Sequence, residues 1–290
     1  MILITGSTGG LGKETVNALL KLIPAQQIVA LARDPEKAAE LSAAGVTVRK
    51  GDYSDYDSLL AAFSGIEKLL MVSAPAFSDH SLEANTIRAA KDAGVKYVVY
   101  TAIQGKQGSG WTIPGVTERD LQMEKLLAAS GMAYTIAHNA LYIDVFPFLL
   151  GSAVIEKGVL FPSGTGVAAA ATRADIGEGL ARIISSDQLY PQHITLANSQ
   201  SWSATDIARI LSEATGKNVP AIETTPVEYI AYQEQCGIPS FYAKFAADWA
   251  AATKAGELGE TDPLLENILG RKPASLATFL TEVYQPSVQN

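Results

Sequence analysis

Short, almost wholly apolar runs alternate with longer amphipathic segments along the first half of the chain. Two such runs are Leu69-Leu70-Met71-Val72 and Tyr97-Val98-Val99-Tyr100. Their composition predicts strands that are buried on both faces, and the segments between them have the period of helices. Strands are predicted at 1–5, 27–32, 46–50, 68–73, 96–101 and 133–137, and helices at 10–22, 35–44, 55–63, 80–93 and 117–130. This alternation predicts an α/β fold with a doubly wound parallel sheet.

The alternation stops after about residue 142. A proline-containing aromatic stretch, Val145-Phe146-Pro147-Phe148-Leu149, leads into short irregular elements and then into mostly helical chain. Residues 193–197 predict one more strand of the sheet, and Ser203 with Asp206 predicts the start of a helix. We therefore predict a nucleotide-binding domain over 1–142, with a returning strand near 193–197. A smaller, mostly helical substrate-binding cap over 143–290 is interleaved with it.

Composition narrows the class of protein. Of the 290 residues 48% are hydrophobic, and 22 basic residues against 30 acidic ones give a net charge of −8. A net-acidic chain without a basic cluster argues against nucleic-acid and anionic-membrane partners, whose binding needs cations. The single cysteine, Cys236, cannot form an intrachain disulfide, and the three histidines lie far apart without metal-ligand spacing. With no long apolar stretch and no signal-peptide pattern, we expect a cytoplasmic globular protein that binds no metal.

A glycine-rich loop is the strongest chemical signal. It follows the first predicted strand and opens the first helix, where glycines let the backbone turn tightly and approach a pyrophosphate at the helix N-terminus. The residues predicted to bind the pyrophosphate are Gly6, Ser7, Thr8, Gly9, Gly10, Leu11 and Gly12. A P-loop would need glycine at Ser7 and a hydroxyl at Glu14, so this alternative fails. The loop and its context predict a Rossmann-type dinucleotide site, although the spacing is G-x-x-G-x-x-G.

The end of the second predicted strand indicates which dinucleotide binds. An NAD site prefers an acidic residue there, whereas this chain has Arg33, whose guanidinium favours the 2′-phosphate of NADPH. Asp34 is the nearby acid, but Pro35 after it favours a helix cap as its role. The alternative is that Arg33 is only a solvated surface charge.

Several segments together resemble a known family, the NmrA-like atypical short-chain dehydrogenases, and within it the NADPH-dependent quinone oxidoreductases and triphenylmethane dye reductases. The segments are Ile4-Thr5-Gly6-Ser7-Thr8-Gly9-Gly10-Leu11-Gly12, Arg33-Asp34-Pro35-Glu36-Lys37, Gly51-Asp52-Tyr53, Asn139-Ala140-Leu141-Tyr142, His193-Ile194-Thr195-Leu196-Ala197 and Trp202-Ser203. The resemblance implies that the glycine loop holds the pyrophosphate and Arg33 the 2′-phosphate. It also implies that Asp52 lies near the adenine and Ser73, Ala74 and Pro75 near the ribose.

Most short-chain dehydrogenases protonate a carbonyl oxygen with a tyrosine that has a lysine four residues later. None of the 11 tyrosines here has that lysine. Hydride transfer to a ketone forms a strong base and needs a positioned acid, whereas a hydroquinone anion is a weak base and a cationic dye needs no proton. The missing pair therefore favours a flat, conjugated acceptor such as a quinone, with catalysis by positioning.

The remaining candidates come from the resemblance and from their place in the predicted elements. Lys125 lies where some related reductases keep a lysine, and it is otherwise an ordinary exposed lysine. Thr101 at the end of the fifth strand is predicted either to orient the acceptor or only to close the strand. Asn139 and Tyr142 match the family and are expected to line the acceptor site. His138 replaces an arginine of the family, and it is either a site residue or a half-buried structural histidine.

The loop 104–115 follows the fifth predicted strand and contains four glycines, one proline and Trp111. It is predicted either as a lid whose Trp111 covers the acceptor or as a plain surface loop. Two functions stay open. One is an NADPH-dependent reductase of a small quinone or aromatic acceptor. The other is a redox sensor that binds NADP(H) without turnover. A homodimer is the expected oligomeric state.

Overall fold

The chain divides into two compact units. The computed structural model describes residues 1–74, 79–106 and 108–285, so Pro75 of the predicted ribose segment lies outside the described residues. The first unit comprises Met1–Ile103, Pro114–Asn139 and Arg173–Leu196. The second unit comprises Gln104–Ile113, Ala140–Thr172 and Ala197–Asn290.

Nine strands form two sheets in the part of the chain that the structure describes. They are β1 (Ile2–Ile4), β2 (Ile28–Ala32), β3 (Thr47–Lys50), β4 (Lys68–Met71), β5 (Tyr97–Ile103), β6 (Ala133–Asn139), β7 (Val167–Ala168), β8 (His193–Leu196) and β9 (Trp202–Ser203). The first unit holds a seven-stranded sheet in the order β3-β2-β1-β4-β5-β6-β8, with each pair parallel. The predicted fold class is confirmed. The chain order reverses between β1 and β4, and the carboxyl ends of strands at such a point are where α/β sheets bind ligands.

Thirteen α-helices accompany the strands over the described residues. They are α1 (Gly10–Leu19), α2 (Ala39–Ala43), α3 (Tyr56–Phe63), α4 (His80–Asp92), α5 (Thr117–Ser130), α6 (Phe146–Leu150), α7 (Val154–Lys157), α8 (Arg173–Ser185), α9 (Ala204–Thr215), α10 (Pro226–Gln235), α11 (Ser240–Lys254), α12 (Leu264–Leu269) and α13 (Leu276–Tyr284). Short 3₁₀ helices occupy Ala25–Gln27, Pro35–Ala38 and Ile143–Val145. None of the helices described combines the length and the apolar character that crossing a membrane requires.

The observed boundaries differ from the predicted ones at several elements, among them the first helix and the fifth strand. The first helix was expected to reach residue 22 and ends at Leu19. The fifth strand was expected to end at Thr101, but it continues to Ile103, because Ala102 and Ile103 pair with residues of β6. Thr101 therefore lies inside a strand rather than at its end.

The core of the first unit lies on both faces of its sheet. On one face Leu3, Leu69 and Met71 are fully buried and cluster with Phe63 of α3 and Met123 of α5, and on the other face the alternate residues Ile4 and Leu70 are also fully buried. Strands buried on both faces need apolar residues at consecutive positions, which explains the uninterrupted runs in the sequence.

Helix ends in the second unit follow the local sequence closely. Ser203 accepts a hydrogen bond from the amide of Asp206, whose carboxylate in turn accepts from the amide of Ser203. This reciprocal capping confirms the helix start that the sequence predicted. In the same unit, the hydroxyl of Tyr229 and the side-chain Nε2 of Gln233 donate to the carbonyl oxygen of Leu149 at 2.6 and 2.8 Å. Helix α10 therefore holds the end of α6.

Candidate dinucleotide-binding site

The glycine loop between β1 and α1 depends on close backbone approaches. Gly6 has φ = +59°, a conformation that favours glycine, and its carbonyl oxygen accepts from the amide of Gly9 at 2.9 Å. A Cβ atom on Gly12 would lie 2.2 Å from the carbonyl oxygen of Gly6. No other residue fits at position 12 without moving the loop, so the tight turn and the close packing predicted for the motif are present.

The N-terminus of α1 faces the loop. The first backbone bond of the helix runs from the amide of Lys13 to the carbonyl oxygen of Gly9 at 2.9 Å. The amides of Gly10, Leu11 and Gly12 therefore precede the first amide that donates within the helix, and they lie at the end of the helix that attracts anions. Such a cradle fits the pyrophosphate of a dinucleotide.

The two hydroxyl residues of the loop differ in environment. The Ser7 hydroxyl is buried and donates to the carbonyl oxygen of Leu31 in β2 at 2.9 Å. Thr8 is exposed. Ser7 therefore fastens the loop to the sheet, and of the two side chains only that of Thr8 is open to a ligand.

Charged residues stand at the carboxyl ends of β2 and β3. Arg33 is exposed, and Asp52 is half-buried. The amide and hydroxyl of Ser54 donate to the Asp52 carboxylate at 2.9 and 2.8 Å. These bonds, and then the positive charges of Arg33 and Lys50, hold the pKa of Asp52 below its ordinary value. The charge of Arg33 therefore acts on the Asp52 carboxylate.

The segment after β4 is fixed by side chains instead of by a neighbouring strand. Three consecutive amides, from residues 72 to 74, each donate to a side-chain oxygen from a different part of the first unit. The Val72 amide donates to Thr5, the residue after β1 (3.0 Å), the Ser73 amide to Thr101 of β5 (2.9 Å), and the Ala74 amide to Glu83 of α4 (2.9 Å). Thr101 is 1% exposed and its hydroxyl also donates to that of Ser73 at 3.3 Å. Thr101 therefore holds the predicted ribose segment.

A buried ion pair lies beside this segment. Arg119 and Asp120, at the start of α5, are only 5% and 9% exposed. Arg119 donates to the Asp120 carboxylate through Nε at 2.9 Å and Nη2 at 2.8 Å, and its Nη1 donates to the carbonyl oxygen of Ala74 at 2.6 Å. Asp120 also accepts from the Tyr100 hydroxyl at 3.0 Å and from the Ile103 amide at 2.8 Å. The pair therefore connects α5 to the carboxyl ends of β4 and β5.

Burial governs the proton affinities in this network. It raises the pKa of Asp120, against the opposing effects of Arg119, the Ile103 amide and the Tyr100 hydroxyl. Burial also raises the pKa of Tyr100, which therefore keeps its proton and acts as a donor. A carboxylate desolvated to this degree depends on its hydrogen-bond partners to stay ionised.

Lys125 lies on the other side of α5. It is exposed and borders a shallow depression of about 380 Å³ with Leu121, Gln122, Leu126 and Glu118. Asp120, Met123 and Leu127 are buried and define the sheet-facing side. Lys125 is two residues from Met123 and from Leu127, so its side chain projects from the opposite side of the helix. The structure does not bring Lys125 together with Thr101.

His138 belongs to a chain of polar contacts along the edge of the sheet. Its Nδ1 lies 3.3 Å from the carbonyl oxygen of Ile103, and its Nε2 lies 3.2 Å from Nδ1 of His193. Nε2 of His193 lies 3.5 Å from the carboxylate of Glu124. Burial lowers the pKa of His138, and the neighbouring His193 lowers it further, while the bond to Ile103, Asp120 and Glu124 oppose the shift. A neutral His138 that donates at Nδ1 accepts at Nε2.

The other candidate acceptor residues are divided between the two units. Asn139 is the last residue of β6 in the first unit and is buried. Tyr142 is half-buried and Trp111 is 41% exposed, and both belong to the second unit. The carboxylate of Glu257 accepts from the Lys106 amide at 2.9 Å and the Ser109 hydroxyl at 3.0 Å, so the loop that carries Trp111 is fastened within the second unit.

The comparisons with known proteins agree with this architecture. The model of the NmrA-like family matches residues 1–245. The chain belongs to the NmrA-like family. Over 1–74, 79–106 and 108–285, no group of three or more His, Cys, Asp or Glu side chains is arranged to hold a metal ion.

Relatives and solved structures match this chain over nearly their whole length. Quinone oxidoreductase 2 of Escherichia coli (strain K12) is 34% identical over 98% of this chain and 99% of that protein. A solved NADPH-dependent quinone oxidoreductase from Escherichia coli, complexed with NADPH, has a TM-score of 0.89 at 33% identity and covers 98% of this chain and 100% of its own. Triphenylmethane reductase of Citrobacter sp., complexed with NADP(H), has a TM-score of 0.90 at 32% identity, with 97% and 99% covered.

Sequence reasoning missed several residues that the structure brings to this edge of the sheet. Glu83 and Arg119 carry no motif, His193 was noted only as the first residue of a predicted strand, and each contacts its partner only through the tertiary fold. One signal was available for Arg119 and Asp120. Two opposite charges on the first turn of a helix that packs on an apolar sheet are candidates for a buried pair, because such helices seldom bury a lone charge.

Proposed function

We propose that this protein is an NADPH-dependent oxidoreductase that transfers hydride to a quinone or a similar flat, conjugated acceptor. The observation that carries the proposal is the glycine loop at the N-terminus of α1, with Arg33 exposed beyond the neighbouring strand. The similarity to quinone and triphenylmethane dye reductases over nearly the whole chain supports it.

The residues present fit NADPH. The cradle left by Gly6 and Gly12 would admit the pyrophosphate, whose charge the helix N-terminus favours. Arg33 would bind the 2′-phosphate by charge-assisted hydrogen bonds, and Asp52 beside it would lie near the adenine. Ser73 and Ala74 would lie by the ribose. When bound, the reduced nicotinamide supplies the hydride.

The chain's own contribution is chiefly positioning. The amides of Ser73 and Ala74 are already engaged by Thr101 and Glu83, so this segment offers a ligand a fixed backbone and not free amides. Arg119 fixes the carbonyl oxygen of Ala74 as well. Because the ribose segment is held from both sides, it would keep the cofactor in one position. Positioning the cofactor and the acceptor face to face is worth several orders of magnitude in rate.

Proton transfer needs little from the protein. A hydroquinone anion is a weak base that water can protonate, and the chain has no tyrosine with a lysine four residues later. Tyr100 keeps its proton for Asp120 and is fully buried. Lys125 lies on the outer face of α5, so we propose no role for it as the proton donor. His138, Asn139, Trp111 and Tyr142 stay the proposed acceptor residues.

Steady-state oxidation of NADPH with a panel of small quinones and one triphenylmethane dye tests the proposal. We expect turnover with at least one of these acceptors and a lower KM for NADPH than for NADH. Binding of NADPH at micromolar concentrations without turnover with any acceptor would instead support a redox sensor. Failure to bind either nucleotide would contradict both functions.

A further inference from the structure

Helix α8 packs against α1, the helix that follows the glycine loop. A glycine in α8 makes this close contact possible. A Cβ atom on Gly177 would lie 2.9 Å from Cβ of Glu14 and 3.0 Å from the amide nitrogen of Thr15. Any larger residue at position 177 would push the two helices apart. Gly177 therefore lets α8 lie directly against the first turns of α1.

One helical turn earlier in both helices, a second close contact joins a glycine of α1 to a long side chain of α8. A Cβ atom on Gly10 would lie 3.0 Å from Cδ and 3.3 Å from Nε of Arg173. Gly10 precedes Glu14 by four residues, and Arg173 precedes Gly177 by four. Because both steps run in the same direction, α1 and α8 are parallel and their N-termini lie at the same end of the unit.

This arrangement brings a cation to the predicted pyrophosphate site. The Arg173 side chain crosses the first turn of α1, where Gly10 leaves room for it and the amides of Gly10, Leu11 and Gly12 begin the helix. The N-terminus of α8, which starts at Arg173, adds a second partial positive charge at the same end. Asp175 lies in that same turn of α8 but is buried at 3% exposure, whereas Arg173 is partly exposed.

We propose that Arg173 binds the pyrophosphate of the dinucleotide, and that Gly10 is glycine in order to admit this side chain. The inference rests on the proposed function, because it assumes that a dinucleotide occupies the loop. A guanidinium and a phosphate form charge-assisted hydrogen bonds of matched geometry. Arg173 would act on the part that NADPH and NADH share, whereas Arg33 would act on the 2′-phosphate that only NADPH has.

Calorimetric binding of four ligands to Arg173→Gln distinguishes these roles. The ligands are NADPH, NADH, ADP-ribose and 2′-AMP, the last of which lacks a pyrophosphate. We expect Arg173→Gln to weaken the first three by a similar factor, roughly ten- to a hundredfold, and to leave 2′-AMP binding within about twofold. Arg182→Gln is the matched control. It lies in the same helix and pairs with Glu178, and it should leave all four affinities unchanged.

Two further variants keep the inference open to refutation. Gly10→Ala should weaken the same three ligands, because its methyl group displaces Arg173. Arg173→Lys should bind NADPH, NADH and ADP-ribose more tightly than Arg173→Gln does. If Arg173→Gln does not fold, Arg173→Lys takes its place in the comparison with the wild type. Equal affinities for wild type, Arg173→Gln and Arg173→Lys, or a loss confined to NADPH, would overturn the inference. If the wild-type protein binds none of the dinucleotides, the proposed function itself fails.

Discussion

Arg119 and Ala74 are joined by a hydrogen bond of 2.6 Å from Nη1 of the guanidinium to the backbone carbonyl oxygen. Ala74 is thus fixed on both sides, since its amide donates to Glu83. The guanidinium also forms the buried ion pair with Asp120. One side chain therefore connects the predicted ribose segment after β4 with the first turn of α5, and its substitution should affect cofactor binding in a measurable way.

Arg119→Lys should raise the KM for NADPH by about tenfold with a smaller change in thermal stability. Lysine keeps the positive charge beside Asp120 but lacks the fork that reaches both the carboxylate and Ala74. Losing one charge-assisted bond corresponds to about that factor. Arg49→Lys is a matched control, because Arg49 also donates to backbone carbonyl oxygens, those of Ala62 and Ser64. A shift in KM of equal size in both variants would contradict the role of Ala74.

Arg119→Met should lower the free energy of unfolding by about 3–5 kcal/mol, because it leaves the buried Asp120 carboxylate without its cation. The double variant Arg119→Met/Asp120→Asn should recover part of that loss, since no buried charge remains. Urea denaturation of both variants and of the wild type measures the difference. A double variant that is less stable than Arg119→Met alone would show that the two charges are not coupled.

Arg33→Ala should raise the KM for NADPH by about ten- to a hundredfold and leave that for NADH little changed. The reason is that only NADPH carries the 2′-phosphate that the guanidinium is proposed to bind. Steady-state kinetics with NADPH and with NADH measure the two KM values. Lys50→Ala is the control, because it removes another positive charge that acts on Asp52. Equal use of NADPH and NADH by the wild-type protein would disprove the assignment.

Lys125→Ala should change quinone turnover by less than about tenfold, because a positioned proton donor would contribute about 10²–10⁴-fold and this side chain projects away from the buried face of α5. Gln122→Ala on the same exposed face serves as the control for a small structural effect. A drop beyond a hundredfold in Lys125→Ala alone, with intact NADPH affinity and thermal stability, would make Lys125 catalytic.

His138 should make the protein less stable as the pH falls. Burial lowers its pKa in the folded state from the ordinary value of 6.5, so protons bind the unfolded chain more tightly. The stabilising contribution is complete above 6.5 and decreases as the pH falls below 6.5 towards the lowered pKa. The Tm of His138→Gln should therefore drop less than that of the wild type between about pH 7.5 and 5.5. A drop of equal size in the two proteins would contradict this role of His138.

Much of the first unit, and the start of one helix in the second unit, could be predicted from local sequence. The apolar runs at β4 and β5, the glycine loop and the capping of α9 by Ser203 each depend on residues within a few positions of one another. A strand buried on both faces needs consecutive apolar side chains, and a helix cap needs its acceptor next to the first amides. Such requirements are visible in the sequence because the interacting groups are neighbours along the chain.

The contacts that shape the candidate site were decided by tertiary structure. The sequence left 173–192 with the cap, but α8 belongs to the first unit because Gly177 lets it pack on α1. Arg119 gives no local sign that its partner is the carbonyl oxygen of Ala74, 45 residues earlier. Arg173 gives none that it lies against Gly10. Side chains from distant segments come into contact only when the parallel strands bring their carboxyl ends to one edge of the sheet. The local sequence pattern specifies the strands, but it does not specify these contacts.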